Sequence, residues 1–191
     1  MIRVVVIDDH PALRAGLHAV LDAEPGIVFA GESDGDEESV WPLLNRVKPD
    51  LALLDYHLPH GDGLQLCYRI KQQVPAPKVI VFSAYAGPAL TMAASLARAD
   101  GLLDKGVPAR DLFEAIRLVN KGDRLIDPVS RSAMQDAESR LEPDELPMLA
   151  MLLDGTPERE IATILRREPR ELTHTVQRML SRLRLDVPAP R

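Results

Sequence analysis

The chain has 191 residues, 46% of them apolar and 27% charged, with a formal net charge of −6 and a single Cys, Cys67. This is globular composition, long enough for one full domain and a small second one. The charge excludes a protein that coats nucleic acid by charge alone, and one Cys excludes both an internal disulfide framework and a Cys-built zinc site.

The segment from Met1 to Asp9 is an apolar run of strand length that meets acid too early for a signal peptide. No stretch approaches the roughly 18 apolar residues of a membrane-spanning helix. A soluble protein of a reducing, cytoplasmic compartment is expected.

Val-rich Ile2 to Ile7 reads as a buried strand. Leu13, Leu17, Val20 and Leu21 then repeat at helix spacing. Ile27 to Ala30 is strand-like, and Glu37 to Val47 is helical. Leu51 to Leu54, bounded by Pro49, is a second buried strand, followed by a helix from Leu64 to Gln72. Val79 to Phe82 is a β-branched run, Ala89 to Ala97 an apolar helix, and Leu102 and Leu103 a short strand. Leu112, Ile116 and Val119 share one face of a further helix. Five β–α units in this order, with strands that do not alternate, predict a parallel sheet covered on both faces and wound with right-handed crossovers.

From Gly122 to Arg140 the pattern weakens into a linker with Asp127, Pro128, Ser130, Ser132 and Gln135, with room for a helical turn. Beyond it everything reads as helix. Leu149 and Leu152 belong to one helix, Ile161, Ala162 and Leu165 to a second, and Leu172, Val176, Met179, Leu180 and Leu183 to a third. Three short helices with a tight turn between the last two predict a helix-turn-helix bundle. The expected division is 1–121, a linker over 122–140, and 141–191.

The polar residues that follow the strands are Asp8 and Asp9, Asp55, Ser83 and Lys105. In an open parallel sheet the carboxyl ends of the strands share one edge, where ligands bind. Carboxylates gathered there repel one another unless a hard cation such as Mg²⁺ joins them. A carboxylate beside such an ion can attack phosphorus, and a Lys and a hydroxyl can hold the phosphoryl oxygens. Taken singly, each residue has a plainer reading: Asp9 as a helix cap, Ser83 as a turn residue, Lys105 as a solvated charge. His10, His57 and His60 at the same edge invite zinc, although loop histidines are usually only solvated. The chain has no P-loop and no Gly-x-Gly-x-x-Gly turn.

The segments Val4-Val5-Val6-Ile7-Asp8-Asp9-His10, Leu53-Leu54-Asp55-Tyr56-His57-Leu58-Pro59-His60-Gly61-Asp62-Gly63, Val81-Phe82-Ser83-Ala84 and Leu102-Leu103-Asp104-Lys105 resemble the receiver domain of two-component response regulators over about residues 1–121. The resemblance implies a flavodoxin-like, doubly wound five-stranded sheet of order 2-1-3-4-5. It implies that Asp55 takes a phosphoryl group from a sensor histidine kinase, and that Asp8, Asp9, Asp55 and the His57 carbonyl hold Mg²⁺. It gives Ser83 and Lys105 the phosphoryl oxygens. Such a protein is not an enzyme beyond its own phosphorylation and slow autodephosphorylation. The family's aromatic switch position holds Leu102, which leaves Tyr85 as a substitute beside Ser83. Gly106 stands where Pro often follows the Lys.

Leu141-Glu142-Pro143-Asp144-Glu145 and Leu152-Leu153-Asp154-Gly155-Thr156-Pro157-Glu158-Arg159-Glu160-Ile161-Ala162 resemble the LuxR-type helix-turn-helix of the NarL/FixJ subfamily. This implies a recognition helix over 169–183, double-stranded DNA as a partner and a homodimer on phosphorylation. Arg166, Arg167, Arg170, Thr173, His174, Gln177 and Arg178 are its candidate DNA contacts. Residues 141–191 hold 8 Arg against 9 Asp and Glu, less basic than dedicated DNA-binding domains. Glu171 and Thr173 depart from the subfamily's basic helix start, and Pro147 falls where its first helix should run. The alternative output is therefore a degenerate helix-turn-helix that binds a protein. A stand-alone phosphatase is a third reading, distinguished by sustained turnover.

Overall fold

A computed structural model describes residues 1–59 and 61–185; His60 and 186–191 lie outside the described residues. The first half is built of β1 (Ile2–Ile7), α1 (Pro11–Asp22), β2 (Ile27–Ser33), α2 (Glu37–Val47), β3 (Leu51–Asp55), a two-residue hairpin of β4 (His57–Leu58) and β5 (Gly61–Asp62), and α3 (Gly63–Lys71). It continues with β6 (Lys78–Ser83), α4 (Pro88–Leu96), β7 (Gly101–Asp104) and α5 (Ala109–Lys121). The main sheet is parallel in the order β2-β1-β3-β6-β7. This is the flavodoxin-like order, with the fourth and fifth sheet strands numbered β6 and β7 because the hairpin intervenes.

Side-chain alternation divides the core. Val4, Val6, Leu51, Leu53, Ile80 and Phe82 face α1 and α5. Val5, Ile7, Ala52, Leu54, Val79 and Val81 face α2, α3 and α4. Both faces of each inner strand are thus apolar, and the strands read as unbroken hydrophobic runs. Asp36 caps α2 through its carboxylate, and Asp62 caps α3 by accepting from the Leu64 N–H.

Where the sequence pattern weakens, the chain first pairs and then coils. Leu125 bridges the outer strand β7 in parallel, with the Leu102 N–H donating to the Leu125 carbonyl. A helix, α6 (Arg131–Arg140), follows, capped by the Ser130 hydroxyl. Then come α7 (Leu146–Leu153), α8 (Glu158–Leu165) and α9 (Pro169–Arg182). Pro147 neither breaks nor kinks α7, because the helix begins at Leu146 and the Pro occupies its first turn, where its missing N–H has no intrahelical partner to lose. Arg166, in the left-handed conformation with φ 51°, makes the turn between α8 and α9.

The helical tail does not stand apart. Met148, Leu149, Ile161, Leu172, Val176, Met179 and Leu180 share one apolar cluster with α3 and α4. Every residue of α4 from Leu90 to Leu96 is buried. Its Ala93, Ala94 and Ser95 are small enough to let helices approach closely between the sheet and the tail. Among the described residues no helix is long and apolar enough to cross a membrane.

Candidate phosphoacceptor site

The carboxyl ends of β1, β3, β6 and β7 bring together the residues that follow them. Asp8 and Asp55 are buried, at 2% and 3% exposure. The Lys105 ammonium lies between them, 2.7 Å from Asp8 Oδ2 and 2.8 Å from Asp55 Oδ2. Ser83 is buried on the adjoining strand end, and its Oγ accepts the Tyr85 N–H. The Lys105 N–H donates to the Ser83 carbonyl, which ties the two strand ends together.

Asp9 is half-buried at the mouth. His10 Nδ1 stands 2.6 Å from Asp9 Oδ1 and 3.1 Å from Asp8 Oδ1, and the His10 N–H donates to Asp8 Oδ1. Ligand atoms of Asp8, Asp9, His10 and Asp55 all lie within 4.8 Å of one another. Three carboxylates against one ammonium leave excess negative charge, and oxygen donors at this spacing suit a small hard dication. The donor set therefore fits Mg²⁺.

The electrostatics follow from burial and neighbours. Desolvation pushes the Asp55 carboxyl above its usual range; the Lys105 bond opposes this, and the Asp8 charge adds to it. The His57 N–H also donates toward Asp55 and favours its ionised form. Burial works against the Lys105 charge, but the bonds to Asp55 and Asp8 outweigh it and raise the ammonium's pKa. Lys105 thus stays a cation, held between the two buried carboxylates.

Some positioning residues escape a sequence reading. A Cβ on Gly63 would lie 2.0 Å from the Asp55 carbonyl oxygen, so only Gly lets α3 start against the end of β3. Its place in Gly61-Asp62-Gly63 was the available signal. Arg14 donates to the Asp8 carbonyl and pairs with Glu32, steadying the loop after β1. Tyr56, next to Asp55, is buried, and its hydroxyl accepts the Leu185 N–H from the far end of the chain.

A response regulator receiver domain matches residues 4–117. The chain belongs to the response-regulator family. The response regulator UvrY of Escherichia coli is 31% identical over 97% of this regulator and 89% of its own length. The DNA-binding transcriptional activator DevR/DosR of Mycobacterium tuberculosis is 28% identical over 97% and 90%. A two-component response regulator of the LuxR family from Aurantimonas sp. aligns with a TM-score of 0.61 at 28% identity, covering 74% of this regulator and 99% of that chain.

Only some of the regulator's candidate contact residues in the tail share one open face. Arg170, His174 and Arg178 follow one another at single-turn spacing and are exposed, with exposed Arg166 at the turn. Arg167 pairs with Asp144, and Arg178 reaches Glu145. Thr173 and Gln177 lie on the side turned to α3. The Thr173 hydroxyl neighbours the Tyr68 phenol, and the Gln177 carbonyl accepts from the Gln65 amide. Leu102 is flanked by a shallow cavity of about 410 Å³, lined by Ala86, Pro88, Thr91, Leu125 and Pro128 among others, with no aromatic ring. Gly106 needs no special isomer, since the one cis peptide among the described residues is Val74–Pro75.

Proposed function

We propose that Asp55 accepts a phosphoryl group from a sensor histidine kinase and that this controls transcription through the helical tail. The observation that carries the proposal is the buried Asp55 carboxylate with Lys105 2.8 Å away and Asp8 on that lysine's other side. An Asp55 oxygen forms the new bond to phosphorus while the bond from phosphorus to the donor's leaving group breaks. The Lys105 ammonium and the Ser83 hydroxyl take the phosphoryl oxygens. Mg²⁺ bound by Asp8, Asp9, Asp55 and the His57 carbonyl would supply neutralising charge at that moment. The chemistry is one transfer per chain, followed by slow hydrolysis.

In this reading residues 1–121 are the receiver, 122–140 the linker and 141–191 the output module. Double-stranded DNA is the output's partner in this reading, which the similarity to DevR/DosR, a DNA-binding transcriptional activator, supports. Arg166, Arg170, His174 and Arg178 supply the exposed part of the contact. Thr173 and Gln177 join only after α9 leaves α3. Phosphorylation therefore frees the helix and lets two chains pair on DNA, in the cytoplasm where the kinase acts.

The test is a gel shift with DNA from upstream of the regulator's own gene. The expected result is binding strengthened by beryllofluoride with Mg²⁺ and a loss of that response in Asp55→Asn. No shift at low salt under any condition overturns the DNA reading in favour of a protein-binding output.

A further inference from the structure

We propose that three rings in successive edge-to-face contact, Tyr85, His57 and Tyr56, carry the state of Asp55 to the end of α9. This rests on Asp55 being the phosphoacceptor. The chain has only three Tyr, and two of them flank this site. Tyr56 meets His57 edge to face with ring centres 4.6 Å apart at 78°. His57 meets Tyr85 in the same manner at 5.5 Å and 69°. Edge-to-face pairs of this kind hold a preferred geometry, so displacement of one ring disturbs the next.

Both ends of the array are hydrogen bonded to what they must sense or hold. At one end the Tyr85 N–H donates to Ser83 Oγ at 3.1 Å. At the other, Tyr56 Oη accepts the Leu185 N–H at 2.8 Å, across 129 residues of sequence. Leu185 lies three residues beyond α9, so this bond pins the end of the helix to the residue beside Asp55.

The sequence of events is short. A phosphoryl oxygen on Asp55 offers the Ser83 hydroxyl a new partner. Ser83 turns toward it, and the backbone turn that carries Tyr85 follows. The Tyr85 edge leaves His57, His57 no longer supports the Tyr56 ring, and the phenol slips from Leu185. The two states of the array are then biased by Asp55 on one side and by α9 on the other, which is the physical content of coupling between sites. The cavity beside Leu102 is lined by no aromatic ring that could form a parallel route.

The experiment measures amide exchange at Leu185 by NMR in the full chain, with and without beryllofluoride and Mg²⁺, while ¹⁹F signals report beryllofluoride binding. In the wild type, beryllofluoride should speed Leu185 exchange by roughly fivefold or more, the ratio expected for losing one ordinary hydrogen bond. Tyr56→Phe keeps the ring and removes the acceptor, so Leu185 should exchange fast even without beryllofluoride. Tyr85→Leu removes the ring that supports His57, so Leu185 should exchange fast at rest and gain no further acceleration from beryllofluoride. Bound beryllofluoride with unchanged Leu185 exchange overturns the relay and leaves the phosphoacceptor reading intact. So does a Tyr85→Leu chain that binds beryllofluoride and accelerates like the wild type. Absence of any bound ¹⁹F signal in the wild type overturns both.

Discussion

Lys105 holds two buried carboxylates apart from each other's repulsion. Its replacement by Ala leaves Asp8 and Asp55 facing one another with no cation between them. Breaking a buried pair from one side typically costs about 3–5 kcal/mol, and a urea titration of Lys105→Ala should show a loss of that order. Asp55→Asn should act in the opposite direction. Desolvation raises the Asp55 pKa in the fold, so the native state binds this proton more tightly than the unfolded chain does. The contribution of Asp55 to stability is then greatest below its unfolded pKa of about 3.9, and it falls as pH rises through the raised folded value. The stability gain of Asp55→Asn over the wild type should therefore be absent at low pH and grow across that window, as measured by urea midpoints at a series of pH values. A gain constant with pH would contradict the burial of a charged Asp55.

Helix α3 is the element that joins the two halves. Gln65, Tyr68 and Gln72, at spacings of three and four, lie along one face and bond the tail. Glu158, at the start of α8, accepts from Tyr68, Gln72 and Arg98 together. Burial and the Glu158 charge push the Tyr68 phenol up, so it remains a donor. Glu158→Ala leaves a buried phenol without this acceptor and should weaken docking by about 1–3 kcal/mol. Amide exchange in α8 and α9 should then quicken while the strands stay protected; equal protection in both chains would show that the apolar contacts of Leu172 and Met179 hold the tail alone. This face was not legible in the sequence. Tyr68 and Glu158 are 90 residues apart, and nothing in local spacing connects them. Helix α6 is longer than the helical turn the linker pattern allows, because Arg131–Arg140 buries only Ala133 and Ala137 and so lacks an apolar stripe. By contrast, the strands could be read from their unbroken apolar runs, and Asp8, Asp55, Ser83 and Lys105 from standing directly after those runs. The last turn of helix-turn-helix logic was legible too, through Leu172, Val176, Met179 and Leu180, all buried. Pro147 misled only because the start of α7 depends on a boundary that periodicity does not mark.

At the scale of the molecule, one apolar cluster runs from the sheet through α3 and α4 into the tail. The resting chain is therefore a single compact body, and 191 residues in that state should scatter with a radius of gyration of about 16 Å. Beryllofluoride with Mg²⁺ should raise that radius as the tail leaves α3, provided protein concentration is low enough to exclude pairing. The parts that bind a signal and the parts that act on it thus share a core. In the proposed function, a change at Asp55 would reach the output by altering which face of α9 is covered.

All of this depends on phosphoryl transfer to one carboxylate. The most direct measurement is the intact mass of the full chain after incubation with acetyl phosphate and Mg²⁺, followed by fragmentation to place the added group. The account predicts a gain of one phosphoryl group on Asp55 that is absent from Asp55→Asn. A chain that gains none, or an Asp55→Asn chain that gains it equally, would contradict it.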